Sequence, residues 1–449
     1  MSKNSPVMQA AVAAASLLSL GTFTGQLRAQ EPAAPPSNTQ QPRSVEERLA
    51  ELERLLRQER LGVQPQEASV RASWVSADTA GVPDLQDAPK APGVQSTVDL
   101  KLWGRANFAA SYDNFQGQGG IGGPDFINYI ASEGNEELNF NARDTRFGFA
   151  AANSWNNWVG RAVFEVDFYG DTTSTNIPPR LRLGYVELVH SDGFSLRAGL
   201  DWLPIAQLNP ATVDFGILAF GGNTFSQVPQ ITLRKKSGDS EFLLTAIHTR
   251  AGTLQDEEER MPWIGARYAW SGFAEKKGLL AIGAAYRAGN LTNSTGTIRN
   301  DVEDYFFALE ARMPLISGFT VWGEAWTGKG MGREFLRGGL DYNGDGNEIH
   351  GTGGFLNLEV QLCEQLAVNV GAGVDQPHDD DTTTTTLYGT AVPFDSNRTM
   401  FANLRYKLSK QAGIGIEFVD FETQRVDPVG DDGTVLRGQR YTFGTWFIF

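Results

Sequence analysis

The chain has 449 residues with 53 acidic and 38 basic side chains, and its formal net charge at pH 7 is -15. That acidity argues against nucleic-acid binding, because a nucleic-acid backbone attracts basic surfaces. The longest apolar run lies in the first thirty residues, and no later stretch approaches the roughly 18 apolar residues of a membrane helix, so a helical membrane protein is excluded. One cysteine, Cys363, cannot form an intramolecular disulfide, and the four histidines are scattered. We therefore predict no metal site and no cofactor.

The first segment is predicted to direct secretion. Residues 1–29 place Lys3 ahead of an apolar Ala/Leu-rich stretch, which is typical of a signal peptide cleaved near residue 29. A Pro-rich linker at 30–43 follows, and a second linker, rich in Pro and Ala, covers 62–96.

Between the linkers, residues 44–61 predict a helix. Ser44 and Glu47 form a capping box at its start. The apolar positions with coiled-coil spacing are Val45, Leu49, Leu52 and Leu56. We interpret the segment as a short coiled coil for self-association; an amphipathic helix packed on its own domain is the alternative.

From residue 97 to residue 449 the apolar residues alternate with polar or small ones, as in half-buried strands. The clearest examples are 194–202, 280–287, 356–362 and 400–408. Long polar connections are expected at 113–135, 249–260, 328–354 and 375–398. At about 22 residues for a strand with its share of loop, the region predicts about 16 strands.

A soluble β-sandwich or propeller would also alternate, but three features favour a closed antiparallel transmembrane β-barrel. Short and long connections alternate. Several aromatic residues fall near the ends of apolar faces, as expected of membrane-interface girdles: Trp202, Trp263, Trp270, Trp322 and Trp326. The chain ends on a strand with an aromatic face formed by Tyr441, Phe443, Phe447 and Phe449. Barrel closure against the first strand would remove the exposed edge that such a strand otherwise presents.

Several motifs in this region resemble one known family. They are NARDTRFG (141–148), EVDFYG (165–170), RLGYVEL (182–188), LRAGLDWLPIAQLNPATVDFG (196–216) and PQITLRK (229–235). They are similar to the DcaP-like trimeric outer-membrane porins, and the phosphate-selective porins are the nearest relatives of that family. The resemblance implies a trimer of 16-stranded barrels, with an N-terminal coiled coil, that passes small anions, dicarboxylates being the typical substrates.

With apolar faces turned to lipid, the charged alternate positions face the lumen. They are Arg161, Glu165, Asp167, Arg197, Asp201, Arg234, Arg267, Arg287, Glu310, Arg312, Glu359, Arg405, Lys407, Glu417 and Arg440. Basic residues predominate in this set although the chain is acidic, which suits an anion pathway. The residues predicted to bind substrate are Arg143, Arg146, Arg161, Arg197, Arg234, Arg267 and Arg405. The alternative is that these arginines only pair with lumen acids and stiffen the wall.

Three other segments bear on function, and the first two allow two interpretations each. Residues 203–210 follow a predicted strand and form either a constriction inside the lumen or an ordinary surface loop. Residues 341–346 match the first half of a calcium loop, yet position twelve is Thr352, which favours a polar turn over a cation site. His378 beside Asp379 is the only suggestive catalytic pair, and no nucleophile motif accompanies it, so we predict that the protein is not an enzyme.

These observations predict a porin in the outer membrane of a Gram-negative-type bacterium, with its coiled coil in the periplasm. It is expected to form a homotrimer, to contact outer-membrane lipid and lipopolysaccharide, and to pass small anionic solutes by passive diffusion. A phosphate- or oxyanion-selective porin and a non-selective general porin are the alternatives. No nucleic-acid partner is expected.

Overall fold

The computed structural model describes residues 98–120, 123–170, 177–219, 221–248, 257–258, 261–292, 299–332, 335–336, 341–343, 347–378, 394–426 and 434–449. Apart from one short 3-10 helix, Ala274–Lys276, the regular elements among these residues are β-strands. The described residues include no helix that is long and apolar enough to cross a membrane. The predicted signal peptide, both linkers and the coiled coil at 44–61 lie outside the described residues and remain predictions.

Eighteen strand segments form one antiparallel sheet. Their bounds are β1 Asp99–Gly120, β2 Gly123–Asn141, β3 Arg146–Trp155, β4 Trp158–Asp167, β5 Arg180–His190, β6 Phe194–Trp202, β7 Gln227–Ser237, β8 Ser240–Ile247, β9 Glu257–Glu258, β10 Trp263–Trp270, β11 Leu279–Thr292, β12 Arg299–Ile316, β13 Phe319–Lys329, β14 His350–Gln361, β15 Leu366–Pro377, β16 Phe394–Lys407, β17 Ala412–Arg425 and β18 Val435–Ile448. β2 and β3 pair one after the other with the same edge of β1, so together they occupy one place in the wall. β9 and β10 likewise share one place beside β11. The wall therefore has sixteen strands, as predicted.

The wall closes because the last strand pairs with the first. β18 lies antiparallel to β1, with Tyr441 opposite Tyr112. The terminal residue extends this pairing, since Phe449 N–H donates to Gly104 O at 2.9 Å and Gly104 N–H donates to Phe449 O at 2.8 Å. The aromatic side chains of the last strand are exposed on the outer face: Tyr441, Phe443, Phe447 and Phe449. The expected closure by the C-terminal strand is confirmed.

The two ends of the barrel differ in the length of their connections. At one end, here called the short-turn end, the strands are joined by 156–157, 191–193, 238–239, 271–278, 317–318, 362–365 and 408–411. At the other, the long-loop end, the connections include 168–179, 203–226, 330–349 and 378–393. The predicted alternation is confirmed. One predicted loop is wrong: most of 113–135 belongs to β1 and β2, which pair with each other as a hairpin.

The outer face of the wall is apolar and the inner face carries the charge. Exposed Leu, Ile, Val and aromatic side chains occupy the outer positions of the strands, which suits contact with lipid. Of the five tryptophans expected in membrane-interface girdles, only Trp270 is on this outer face, with 40% exposure. The other four are buried inside, so that part of the prediction is wrong: Trp202, Trp263, Trp322 and Trp326.

Candidate functional site: a lumen crossed by an inward loop

The connection between β6 and β7, residues 203–226, folds into the barrel and is here called the inward loop. Three glutamates on distant strands accept its hydrogen bonds. Glu310 on β12 accepts the N–H groups of Gln207 and Leu208 at 2.7 and 2.9 Å. Glu417 on β17 accepts those of Val213 and Asp214 at 2.7 and 2.8 Å. Glu324 on β13 accepts both the N–H and the hydroxyl of Thr224 at 2.6 and 2.8 Å.

Amide and indole groups of the wall hold the same loop between these points. Ala211 N–H donates to Asn357 Oδ1 at 2.8 Å, and Asn403 Nδ2 donates to Ala211 O at 2.7 Å. Trp322 Nε1 donates to Asn209 O at 2.8 Å. Trp326 Nε1 donates likewise to Gly222 O at 2.6 Å. The loop therefore contacts β12, β13, β14, β16 and β17, and the interpretation of 203–210 as a lumen constriction is confirmed over its surface-loop alternative.

Contacts inside the barrel explain why four of the tryptophans predicted in the membrane-interface girdles face the lumen. Trp322 and Trp326 donate to the loop backbone, while Trp202 packs near Phe225 of the loop, with ring centroids 6.4 Å apart. Trp263 lies edge-on to Phe335 at 4.9 Å. A buried indole usually finds a hydrogen-bond partner, and the inward loop supplies carbonyls to Trp322 and Trp326 that are not predictable from strand periodicity.

Two more segments from the long-loop end also pack inside. The hairpin of β1 and β2 buries Phe115 and Ile130 against lumen-facing residues, and Ile130 N–H donates to Thr423 Oγ1 at 2.9 Å. The connection between β13 and β14 buries Tyr342, whose hydroxyl donates to Asp304 Oδ2 at 2.9 Å. Together with the inward loop, they narrow the lumen from the long-loop end.

The predicted calcium-like turn belongs to this second connection. Asp341 is buried, with an oxygen 4.0 Å from Arg287 Nη2. Asn343 and Asn347 bond each other through the backbone at 2.9 Å, as in a closed turn. Residues 344–346 lie outside the described residues, and those that are described contain no group of three or more potential metal ligands. These contacts favour the interpretation of the segment as a polar turn over a cation site.

The inward orientation predicted for the charged residues is confirmed where they bond one another or the loop. Arg267 Nε donates to Glu310 Oε2 at 2.7 Å. Arg440 forms two bonds of 2.7 and 2.8 Å to Asp113 and a third of 2.8 Å to Asp214 of the loop. These guanidinium groups hold the wall and the loop together.

The predicted substrate-binding arginines fall into different environments. Arg146 pairs with Asp144 beneath the ring of Phe215, and Arg267 is bound to Glu310; both are almost fully buried. Their contacts fit the wall-stiffening alternative. Arg143 lies in the turn between β2 and β3, and among the described residues its side chain has no hydrogen bond or ion pair. Arg405 lies over the ring of Trp446 at 5.3 Å.

Three of the predicted arginines keep part of their side chain open to the lumen. Arg161 and Arg197 share Glu187, and their side chains are 22% and 14% exposed. Arg197 also pairs with Asp201. Arg234 lies 3.6 Å from Glu241 and is 21% exposed. Part of each of these side chains is therefore accessible to solvent while its carboxylate partner stays in place.

Some lumen residues were missed by the sequence analysis. Arg182 is 1% exposed, bonds Glu165 at 2.5 Å and lies over Trp202 at 4.7 Å. Glu187, the partner of two predicted arginines, was also missed. The sequence did contain a signal that Arg182 and Glu187 face the lumen, because both belong to the motif at 182–188 and alternate there with apolar residues. Their partners depend on strand register, which one sequence does not determine.

A closed sixteen-stranded barrel with an apolar outer wall, a charged lumen and an inward loop defines the fold of the outer-membrane porins. Comparison with solved structures agrees. The fold is similar to that of the outer membrane channel DcaP of Acinetobacter baumannii, with 19% identity over 78% of this chain and 97% of that one and a TM-score of 0.64. The fold similarity to DcaP confirms the resemblance drawn from the motifs.

Two further porin-fold structures are similar at lower identity. The anion-selective porin from Comamonas acidovorans is 12% identical over 78% of this chain and all of that one, with a TM-score of 0.52. A loop-deletion form of OmpT, an outer membrane protein of Vibrio cholerae, is 9% identical over 79% and 100%, with a TM-score of 0.51. No family model matches the sequence, and no curated protein matches it in sequence.

Proposed function

We propose that this protein is an outer-membrane porin that lets small hydrophilic solutes, preferentially anions such as dicarboxylates, diffuse passively through an arginine-bearing lumen. The observation that carries the proposal is the combination of a closed barrel with partly exposed arginine side chains at Arg161, Arg197 and Arg234. An always-charged planar fork can replace the hydration of a carboxylate or phosphate. Passage requires that such contacts be several and weak.

The paired acids are the main argument for the alternatives. Each of these three arginines has a carboxylate neighbour, so the local charge is close to balanced, as a non-selective general porin would need. A phosphate- or oxyanion-selective porin would use the same guanidinium forks. We favour a channel over an enzyme because the fold is shared with proteins whose structures are described as a channel and a porin.

Liposome swelling tests the proposal with solutes of similar size. Vesicles containing the refolded protein should swell faster with succinate than with a neutral or cationic solute of comparable radius. Arg161→Gln combined with Arg197→Gln should reduce that difference. Equal swelling rates for all three solutes would favour the general porin, and no swelling with any of them would overturn the channel proposal.

We also propose that the protein forms a homotrimer in the outer membrane, with residues 44–61 as a periplasmic coiled coil that supports the trimer. One OmpT structure of Vibrio cholerae, 9% identical with a TM-score of 0.52, is described as a trimer form. The apolar outer wall provides the surface for both lipid and subunit contacts. In this orientation the short-turn end faces the periplasm, next to the start of β1, and the long-loop end faces lipopolysaccharide.

A further inference from the structure

A belt of charged residues lies directly beneath the inward loop, toward the short-turn end. On each of three strands, an inner-face residue that contacts the loop is followed, two positions nearer that end, by a charged residue. The pairs are Glu310 and Arg312 on β12, Asn357 and Glu359 on β14, and Asn403 and Arg405 on β16. Two strand residues span about 7 Å. We call Arg312, Glu359, Arg405 and the next inner residue of β16, Lys407, the sub-loop cluster.

The sub-loop cluster holds more positive than negative charge. Arg312, Arg405 and Lys407 all act electrostatically on Glu359, the single carboxylate of the set. Within this set there are three cations for one anion. Arg405 also interacts electrostatically with Arg105 and Glu417, which add one charge of each sign, so the excess of two positive charges is unchanged. This differs from the opposite wall, where Arg161 and Arg197 meet Glu187 and Asp201 in equal number.

Within the cluster, the central charges do not touch. In the part of the chain that the structure describes, neither Arg312 nor Glu359 has an ion pair within 4.0 Å or a side-chain hydrogen bond. By contrast, Glu310, the next inner-face residue of β12 toward the long-loop end, bonds Arg267 at 2.7 Å. Arg312 and Glu359 therefore attract each other across more than 4.0 Å without a direct bond, and polar groups at such separations are commonly bridged by water.

Two indole rings fix the arginines of the cluster. The guanidinium of Arg312 lies 4.9 Å from the ring centroid of Trp322, which is itself bonded to the inward loop. Arg405 lies 5.3 Å from that of Trp446. Trp446 fits because Gly413 is opposite it on β17, where a Cβ would come within 2.3 Å of the ring. A guanidinium stacked on a ring loses little freedom and keeps its in-plane N–H groups for an oxyanion.

We propose that the sub-loop cluster is a binding site for a divalent oxyanion that enters from the short-turn end. The excess of two positive charges matches a dianion, and the guanidinium forks favour oxygen over halide ligands. Sulfate, hydrogen phosphate and small dicarboxylates share this chemistry. The inference rests on the proposed anion channel. It adds the location of the site and the side from which the anion enters, and it identifies Glu359 as a carboxylate that competes with the anion for the same three cations.

Block of chloride current by sulfate in single channels tests the site. Sulfate should block at a lower concentration from one side of the membrane than from the other. Arg312→Gln should raise the half-blocking concentration on the sensitive side about tenfold, the loss of one charge-assisted contact. Glu359→Gln should lower it by removing the competing carboxylate. Lys410→Gln removes an exposed cation from the adjacent turn at 408–411 and should change neither value.

The outcomes separate this site from the proposed function. An anion-selective channel whose sulfate block is the same in wild type, Arg312→Gln and Glu359→Gln overturns the site and leaves the porin proposal standing. A cation-selective channel overturns both. Because Arg312→Gln and Glu359→Gln are expected to act in opposite directions, a general loss of folding cannot produce the predicted pair of shifts. Repeating the titration with succinate distinguishes a compact site from one that accepts an extended dianion.

Discussion

Glu417 offers the sharpest test of how the inward loop is held. Its two carboxylate oxygens accept the N–H groups of Val213 and Asp214 at 2.7 and 2.8 Å, and one of them also accepts Asn403 Nδ2 at 2.8 Å. Glu417→Ala removes both acceptors from the loop and leaves a gap in a region closed to solvent. The tip of the loop near residues 213–214 should then detach, while the strand pairing of β17 is unaffected.

The size of the effect follows from the bonds lost. A hydrogen bond to a charged group contributes about 1.5–3 kcal/mol, so two contribute about 3–6 kcal/mol to holding this part of the loop. Even the lower figure corresponds to a roughly hundredfold increase in the detached population. Glu310, Glu324 and Asn357 still anchor the rest of the loop, so complete displacement is not expected.

Single-channel recording measures this change directly. Glu417→Ala should show a higher mean conductance and more frequent transitions between levels than wild type. Glu422→Ala is the matched control, because Glu422 is on the same strand but pairs with Arg398 and Arg437, whose side chains are largely exposed. A folded Glu417→Ala protein with the conductance and noise of wild type would refute the idea that this carboxylate holds the constriction.

Four other predictions follow from the same contacts. Arg440→Gln leaves the buried Asp113 and the partly buried Asp214 without their guanidinium and should cost about 3–5 kcal/mol in the free energy of unfolding, measured by denaturant titration in detergent. A change within about 1 kcal/mol would contradict this. Deleting Phe449 removes two backbone bonds to Gly104 worth about 1–3 kcal/mol together and should lower the refolding yield; an unchanged yield would count against closure through this residue. Trp270→Phe should reduce fluorescence quenching by brominated lipid, whereas Trp322→Phe should not, since only Trp270 lies on the outer face. The reverse result would contradict the assignment of Trp270 to the lipid-facing side and of Trp322 to the lumen. Deletion of residues 44–61 should lower the temperature at which trimers dissociate on mild-detergent gels, and trimers of unchanged heat stability would refute a role for the helix.

The strand pattern predicted the barrel because two physical requirements repeat along the chain. Each wall strand needs an apolar outer face and hydrogen bonds on both edges, and these requirements produce period-two alternation and a closed sheet. The alternation from Tyr441 to Phe449 therefore predicted the outward aromatic face of the last strand, and the length of the region predicted the number of strands.

The lumen was harder to predict because its contacts are non-local. Trp322 and Trp326 occupy inner positions next to charged residues, but a girdle and a buried anchor are both rich in tryptophan. Which acid faces which arginine depends on register: Glu187 lies opposite both Arg161 and Arg197 only because β5 pairs with β4 and β6 as it does. The path of the inward loop depends on acceptors that are at least one hundred residues away in the sequence.

The reversal potential of the refolded protein in a planar bilayer under a KCl gradient shows whether the lumen prefers anions or cations. An anion-preferring lumen predicts a potential of the sign set by chloride, reduced toward zero when Arg161 and Arg197 are both replaced by Gln. A potential of the sign set by potassium would contradict an anion-preferring lumen, because the partly exposed Arg161 and Arg197 would then not control which ions pass.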